Sequence, residues 1–256
     1  MKNDMNTHRV SDCLGFTWRC PAYPSSSTGS PRRALFRYRQ SLARHVHDAA
    51  CLEGNPFTFV EVQTLLDGVT VGGHKLDDEQ QILNLVRSAR KLCRLVENGS
   101  FTLCKTVSDQ LHDLVAYREA LEWGSFRGEG LESSLTPHVA VSEHTSHIPP
   151  ATESGGSNLI NLYHQGCNEL AKISHPCERA MAYFLFTALQ QFYFDGNKRT
   201  GRFMMNGELM TNGWDAISVP AVRAKEFNEK MATFYTSRDG SEMLEFLFDC
   251  RPQDVP

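Results

Sequence analysis

The chain of 256 residues carries 26 Lys and Arg against 30 Asp and Glu, a net charge of −4, with 41% hydrophobic and 22% charged residues. These proportions are those of a folded soluble protein, and the length suits one large helical domain better than two small ones. The negative balance excludes a broad nucleic-acid-binding surface, so no nucleic acid is expected as a partner. No membrane association is expected either, because no apolar run approaches the ~20 residues that cross a bilayer.

The eight cysteines are scattered, without a C-x-x-C pair. That usage fits reduced thiols in a cytoplasmic protein better than a disulfide framework or a zinc site. Residues 1–33 are polar and carry a Ser/Gly/Pro cluster from Ser25 to Pro31, which reads as an irregular N-terminal arm. Residues 34–122 form a helical region. Ala34 to Ala50 has helical composition, and Gly54 and Pro56 end it. Thr58 and Glu61 have the spacing of a capping box. Asp77 and Asp78 open a longer helix whose acids lead and whose basic residues follow, as the helix dipole favours. Ile82, Leu85, Val86, Ala89, Leu92, Cys93 and Val96 supply its apolar stripe. Another helix is expected over Thr106 to Ala120.

Residues 123–256 form one compact unit with 34–122. They begin with a Gly-, Ser-, Thr- and Pro-rich stretch to Ser157 in which HVAVSEH alternates, the pattern of a small β-hairpin flap. Helical patterns resume at Asn158 to Ile173, His175 to Gln191, Thr200 to Met210, Val222 to Tyr235 and Ser241 to Cys250. The fold class is all-α, a helical bundle with one small β-hairpin flap.

Between two of these helices lies Phe194-Asp195-Gly196-Asn197-Lys198-Arg199-Thr200-Gly201-Arg202. Gly196 and Asn197 tolerate left-handed backbone angles, so successive amides can converge on an anion. The next helix points its N-terminus at the same place, where free N–H groups favour phosphate. Lys198, Arg199 and Arg202 add positive charge, and Asp195 offers one hard oxygen of the kind Mg²⁺ shares with phosphates. A helix start with a solvated charge cluster accounts for the same residues, and physics alone leaves both readings open.

From Gln191 to Arg202 the chain resembles the Fic-family signature, H-P-F-x-[DE]-G-N-[GK]-R-x-x-R. A second segment, Leu52-Glu53-Gly54-Asn55 with Thr58 and Glu61, is similar to the N-terminal region of Fic proteins that carry a built-in inhibitory helix. The resemblance covers roughly residues 40–250. It implies a Fic-type bundle and transfer of AMP from ATP to a protein hydroxyl, with Mg²⁺ as cofactor. Asp195 would hold Mg²⁺ against the nucleotide phosphates. Gly196, Asn197, Lys198, Arg199, Gly201 and Arg202 would bind the phosphates, and Glu53 would pair with Arg202 as the regulatory carboxylate. The flap at 134–148 would dock a protein target by strand addition.

The family's catalytic histidine is here Gln191, whose carboxamide cannot take a proton near neutral pH. Loss of a general base typically costs ~10²–10⁴-fold, so slow transfer is the expectation. Its alternative is a nucleotide- or protein-binding regulatory module that no longer catalyses. The next two family residues, Pro and Phe, are Phe192 and Tyr193, and Ala49 stands where the inhibitory motif has Ser or Thr. Among other histidines, His175 reads as a capping residue, His164 as a helix residue, and His138, His144 and His147 as solvated flap residues. Phe203, Met204 and Met205 read as core, Trp123 and Trp214 as packing, and Cys51 as a buried filler. Target, nucleotide base and oligomeric state stay open.

Overall fold

In the computed structural model, residues 8–24, 27 and 29–252 are described, and residues 1–7, 25, 26 and 28 of the expected arm lie outside them. Ten α-helices run through these residues: α1 Pro31–Gln40, α2 Leu42–Cys51, α3 Phe59–Leu66, α4 Leu76–Glu97, α5 Lys105–Val115, α6 Ser157–Ala171, α7 Pro176–Gln190, α8 Asn197–Thr211, α9 Ala224–Ser237 and α10 Ser241–Asp249. Two antiparallel hairpins accompany them, β1 His8–Ser11 with β2 Phe16–Arg19 and β3 Val139–Ala140 with β4 Ser146–His147. The all-α class with a small flap hairpin is therefore what the structure has.

The centre is the antiparallel pair α7 and α8. Helix α7 is apolar almost all round (PCERAMAYFLFTALQ), which is the composition of a helix with no solvent face, and Ala180 to Gln190 are all buried. Close approach of α8 depends on Gly201, where an added Cβ would lie 2.7 Å from Thr187 Oγ1 and 3.2 Å from the Phe184 ring. The missing side chain of Gly201 thus faces α7, and its requirement is helix packing rather than ligand contact. Helices α1, α4 and α5 cover α8, while α6 and α10 cover α7. One continuous apolar core runs from Leu14 to Phe248. Among the described residues no helix is long and apolar enough to cross a membrane.

Three expectations need correction. The arm is not irregular over 8–19. Phe16 and Trp18, two residues apart on β2, turn the same way into the core, and Trp18 donates to the buried Glu178 carboxylate at 2.9 Å. The segment from 34 to 50 is two helices. Ser41 interrupts them by bonding its hydroxyl back to the Arg37 carbonyl at 2.9 Å, the local competition that makes serine a poor helix-interior residue. Helix α5 stops at Val115 rather than Ala120, and Arg118 reverses the chain at φ 60°. The Thr58–Glu61 capping box forms in both directions.

Candidate functional site

The loop between α7 and α8 starts at Gln191, the C-cap of α7, in a left-handed conformation at φ 48°. A non-glycine residue there carries strain of about 1 kcal/mol or more and needs its surroundings to hold it. Both ends of its carboxamide are engaged. Nε2 donates to the Ala188 carbonyl at 2.6 Å, and Oε1 accepts from Asn197 Nδ2 at 2.9 Å. Asn197 also spans the loop, accepting from the Tyr193 amide at 2.9 Å and donating to the Tyr193 carbonyl at 2.8 Å. Its side chain is therefore committed to bracing the loop.

Phe192 and Tyr193, the two departures after Gln191, are buried. Phe192 stacks on Phe126, and the Tyr193 hydroxyl bonds Asp109 Oδ1 at 2.9 Å and Ser108 at 2.8 Å. The Tyr193 ring lies 3.6 Å from His112, nearly parallel to it. His112 accepts from the Gly124 amide on Nδ1, so the proton sits on Nε2 and is donated to the Asp195 carbonyl at 2.9 Å. Burial holds its pKa down at about 3. It is a neutral strut under the loop.

Gly196 caps α8 at φ 71°, and the helix N-terminus opens beside it. Asp195 is the exposed member of the loop: one oxygen accepts from the Gly196 amide at 2.6 Å, the other lies 3.4 Å from Arg199, and 61% of its side chain is accessible. Arg199 is buried, with Glu119 as its closer partner. Glu119 is in turn held by Asn84 Nδ2 at 2.8 Å and Gln81 Nε2 at 3.1 Å. Arg202, one turn on, bonds Glu53 at 3.1 Å and reaches the Ala49 carbonyl at 3.5 Å. Lys198 lies 4.0 Å from Glu53. Burial on its own would raise the Glu53 pKa. Arg202, Lys198 and Arg199 overcome it and hold the carboxyl below its usual value. Two N–H groups of Arg202, Nε and Nη1, are buried without a partner.

A cleft of about 300 Å³ opens between flap residues 137–140 and loop residues 194–199, with Glu53 and Gln191 on its walls. The residues that the sequence singles out thus line one cleft, apart from Gly201, which packs on α7, and Arg202, which meets the cleft through Glu53 and lines another cavity with Tyr38 and Ala49. Of the remaining histidines, His175 caps α7, accepting from the Cys177 amide, and bonds Pro24. His164 is exposed on α6. His147 is not solvated but buried against the end of α7, whereas exposed His138 lines the cleft. Sequence reasoning misses His112, Glu119 and Arg127, since nothing in their spacing ties them to the loop.

No protein-family model matches the chain. It is similar to the protein adenylyltransferase Fic of Aedes aegypti, 24% identical over 230 residues, covering 88% of this chain and 43% of that relative. The Drosophila melanogaster protein of the same name is also 24% identical, with the same shares covered. In sequence the chain thus resembles Fic proteins. Solved structures carry the same fold. Fic-1 of C. elegans superposes with a TM-score of 0.67 at 18% identity, covering 85% of this chain and 62% of that one. A Fic family protein of Desulfovibrio desulfuricans superposes at 0.64 and 18% identity, over 86% and 69%. The chain spans less than half the length of these curated Fic relatives.

Proposed function

We propose that the protein is a Fic-type nucleotidyltransferase that moves AMP from ATP to a protein hydroxyl, slowed by Gln191. The observation that carries this reading is the helix N-terminus at Gly196 with Arg199 and Arg202 on its first turns and two buried Arg202 N–H groups unpartnered. Anionic oxygens would satisfy those donors, and the amides of 196–198 would add theirs.

Among the described residues no three His, Cys, Asp or Glu side chains gather into a metal cage. Asp195, exposed at the cleft, fits a Mg²⁺ that keeps water and nucleotide oxygens as its other ligands. Bound there, the ion would neutralise charge on the phosphate oxygens. In the transfer, the target hydroxyl oxygen bonds the α-phosphorus, the bond to the pyrophosphate oxygen breaks, and the hydroxyl proton leaves to solvent. The α8 N-terminus and its arginines stabilise the developing charge, usually the larger catalytic contribution. Gln191 cannot accept the proton. Flap residues 134–148 would receive an extended target segment beside the cleft.

A second reading is a regulatory module that binds nucleotide or protein without transfer. It is favoured by the Gln191 carboxamide, whose two ends are both committed inside the loop. Transfer of labelled AMP from ATP–Mg²⁺ to the protein itself separates the two. Label on Glu53→Gly that disappears with Asp195→Asn supports the transferase. Nucleotide binding without label on that variant supports the module.

A further inference from the structure

The last four carbonyls of an α-helix have no partner within the helix, and at a buried end they must find one elsewhere. Helix α7 ends in the core beside the loop, so the accounting can be done residue by residue. The Ala188 carbonyl accepts from the Tyr235 hydroxyl at 3.1 Å and from Gln191 Nε2. The Leu189 carbonyl accepts from His147 Nε2 at 2.6 Å. The Gln190 and Gln191 carbonyls both go to one guanidinium, Arg127, through Nη2 at 3.3 Å and Nε at 2.5 Å.

Arg127 is fully buried and forms no ion pair with any carboxylate among the described residues. Such a cation persists only where acceptors surround it. The negative end of the α7 dipole supplies part of that environment. The flap stem supplies the rest: Nη1 donates to Thr152 Oγ1 at 2.7 Å and Nη2 to the Pro150 carbonyl at 2.8 Å. Thr152 in turn closes the stem, donating its hydroxyl to the Leu135 carbonyl at 2.6 Å and its amide to Thr136 Oγ1 at 2.9 Å. The Arg127 amide also donates to the Phe192 carbonyl at 3.0 Å. One side chain therefore touches the segment that leaves the flap, which Thr152 ties to the segment that enters it, and the backbone of the residue at the family's catalytic position.

We infer that Arg127 is a positioning residue that registers the flap against Gln191, so that a polypeptide lying on the flap is presented at a set distance from the loop. This rests on the transferase reading for its purpose, though not for its test. A lysine has one ammonium and cannot span four acceptors in a fork, so it reproduces only part of the contact.

The test is hydrogen–deuterium exchange on the whole chain, free of nucleotide, for the native protein, Arg127→Lys, Arg127→Met and Thr152→Val. Peptides over 134–152 are expected to exchange at least about tenfold faster in Arg127→Met, with α4 protection unchanged and Arg127→Lys intermediate. Thr152→Val, which cuts only the stem side, is expected to loosen 134–152 and leave the Gln190–Phe192 amides protected. Equal acceleration in α4 and the flap would reduce Arg127 to general support and overturn the inference. So would unchanged flap exchange in a folded Arg127→Met, or, where that variant does not fold, unchanged flap exchange in Thr152→Val. Since exchange is read without nucleotide, loss of the transferase reading would leave this result standing, and the reverse also holds.

Discussion

Arg199 and Arg202 lie one turn apart on α8, each held by a carboxylate from a distant part of the chain, but the two carboxylates are supported differently. Glu119 is fixed before it meets Arg199: Asn84 and Gln81 of α4 donate to its two oxygens, and Asn84 is itself fully buried and anchored to the Tyr117 carbonyl at 2.9 Å. Glu53 sits in the turn after α2, and its hydrogen bond to Arg202 is joined only by a distant Lys198. The first carboxylate is tied into α4 by two side chains; the second has no such support beyond Arg202 and Lys198. Two ion pairs of similar appearance thus differ in how firmly the carboxylate of each is held.

The largest departure from the present state is expected when the second pair is opened and the base restored together. Gln191→His with Glu53→Gly should raise labelled AMP transfer by about 10²–10⁴ over Glu53→Gly alone, the range for a general base. No gain in that assay would mean that Phe192 and Tyr193 hold the loop unsuited to transfer.

Next comes stability. Glu119→Gln removes the charge from a carboxylate that takes three charge-assisted bonds, and about 2 kcal/mol should be lost. By thermal unfolding this is a fall of about 4–8 °C for a chain of this size. Glu53→Gln should cost less, about 1 kcal/mol, because one close hydrogen bond holds that carboxylate and a glutamine oxygen can still accept it. Equal losses would erase the distinction between the two carboxylates.

A binding measurement sharpens it from the other side. Glu53→Gly should bind ATP–Mg²⁺ about tenfold more tightly than the native chain, which is ~1.4 kcal/mol of relieved competition for Arg202. Glu119→Gln should bind it more weakly by titration calorimetry, because Arg199 loses its support.

The smallest effect is in pH. The Glu53 carboxyl is held below its unfolded value, so the stability it contributes is present above the ordinary carboxylate range near 4.5 and is lost as pH falls through the lower folded value. The stability difference between the native chain and Glu53→Gln should therefore be constant from pH 7 to about 5 and shrink below that. A difference that grew on acidification would reverse the assigned sign.

The helices and the loop were legible because their signals are local. The α4 stripe, the capping box at Thr58 and the left-handed Gly196 ahead of α8 are each written within about fifteen consecutive residues. The pairing of Glu53 with Arg202, 149 residues apart, was accessible only through the family resemblance. Glu119 and Arg127 were illegible, because an acid at the end of an expected helix and an arginine in a polar loop read as solvated until the fold brings their partners to them. The N-terminal hairpin was lost to composition: the alternation Phe16-Thr17-Trp18-Arg19 is four residues long and sits in a polar arm. The packing of Gly201 on α7 was not legible, because a glycine inside a phosphate-binding pattern and a glycine at a helix crossing look the same in one dimension.

The charges around the α8 N-terminus balance: Lys198, Arg199 and Arg202 face Asp195, Glu53 and Glu119. An electrically quiet mouth draws anions poorly from a distance, so capture of a nucleotide should be slow and nearly indifferent to ionic strength. Once Glu53 withdraws, the same mouth is cationic, and the association rate should climb and become salt-sensitive. The switch would then be audible in encounter kinetics before any chemistry begins.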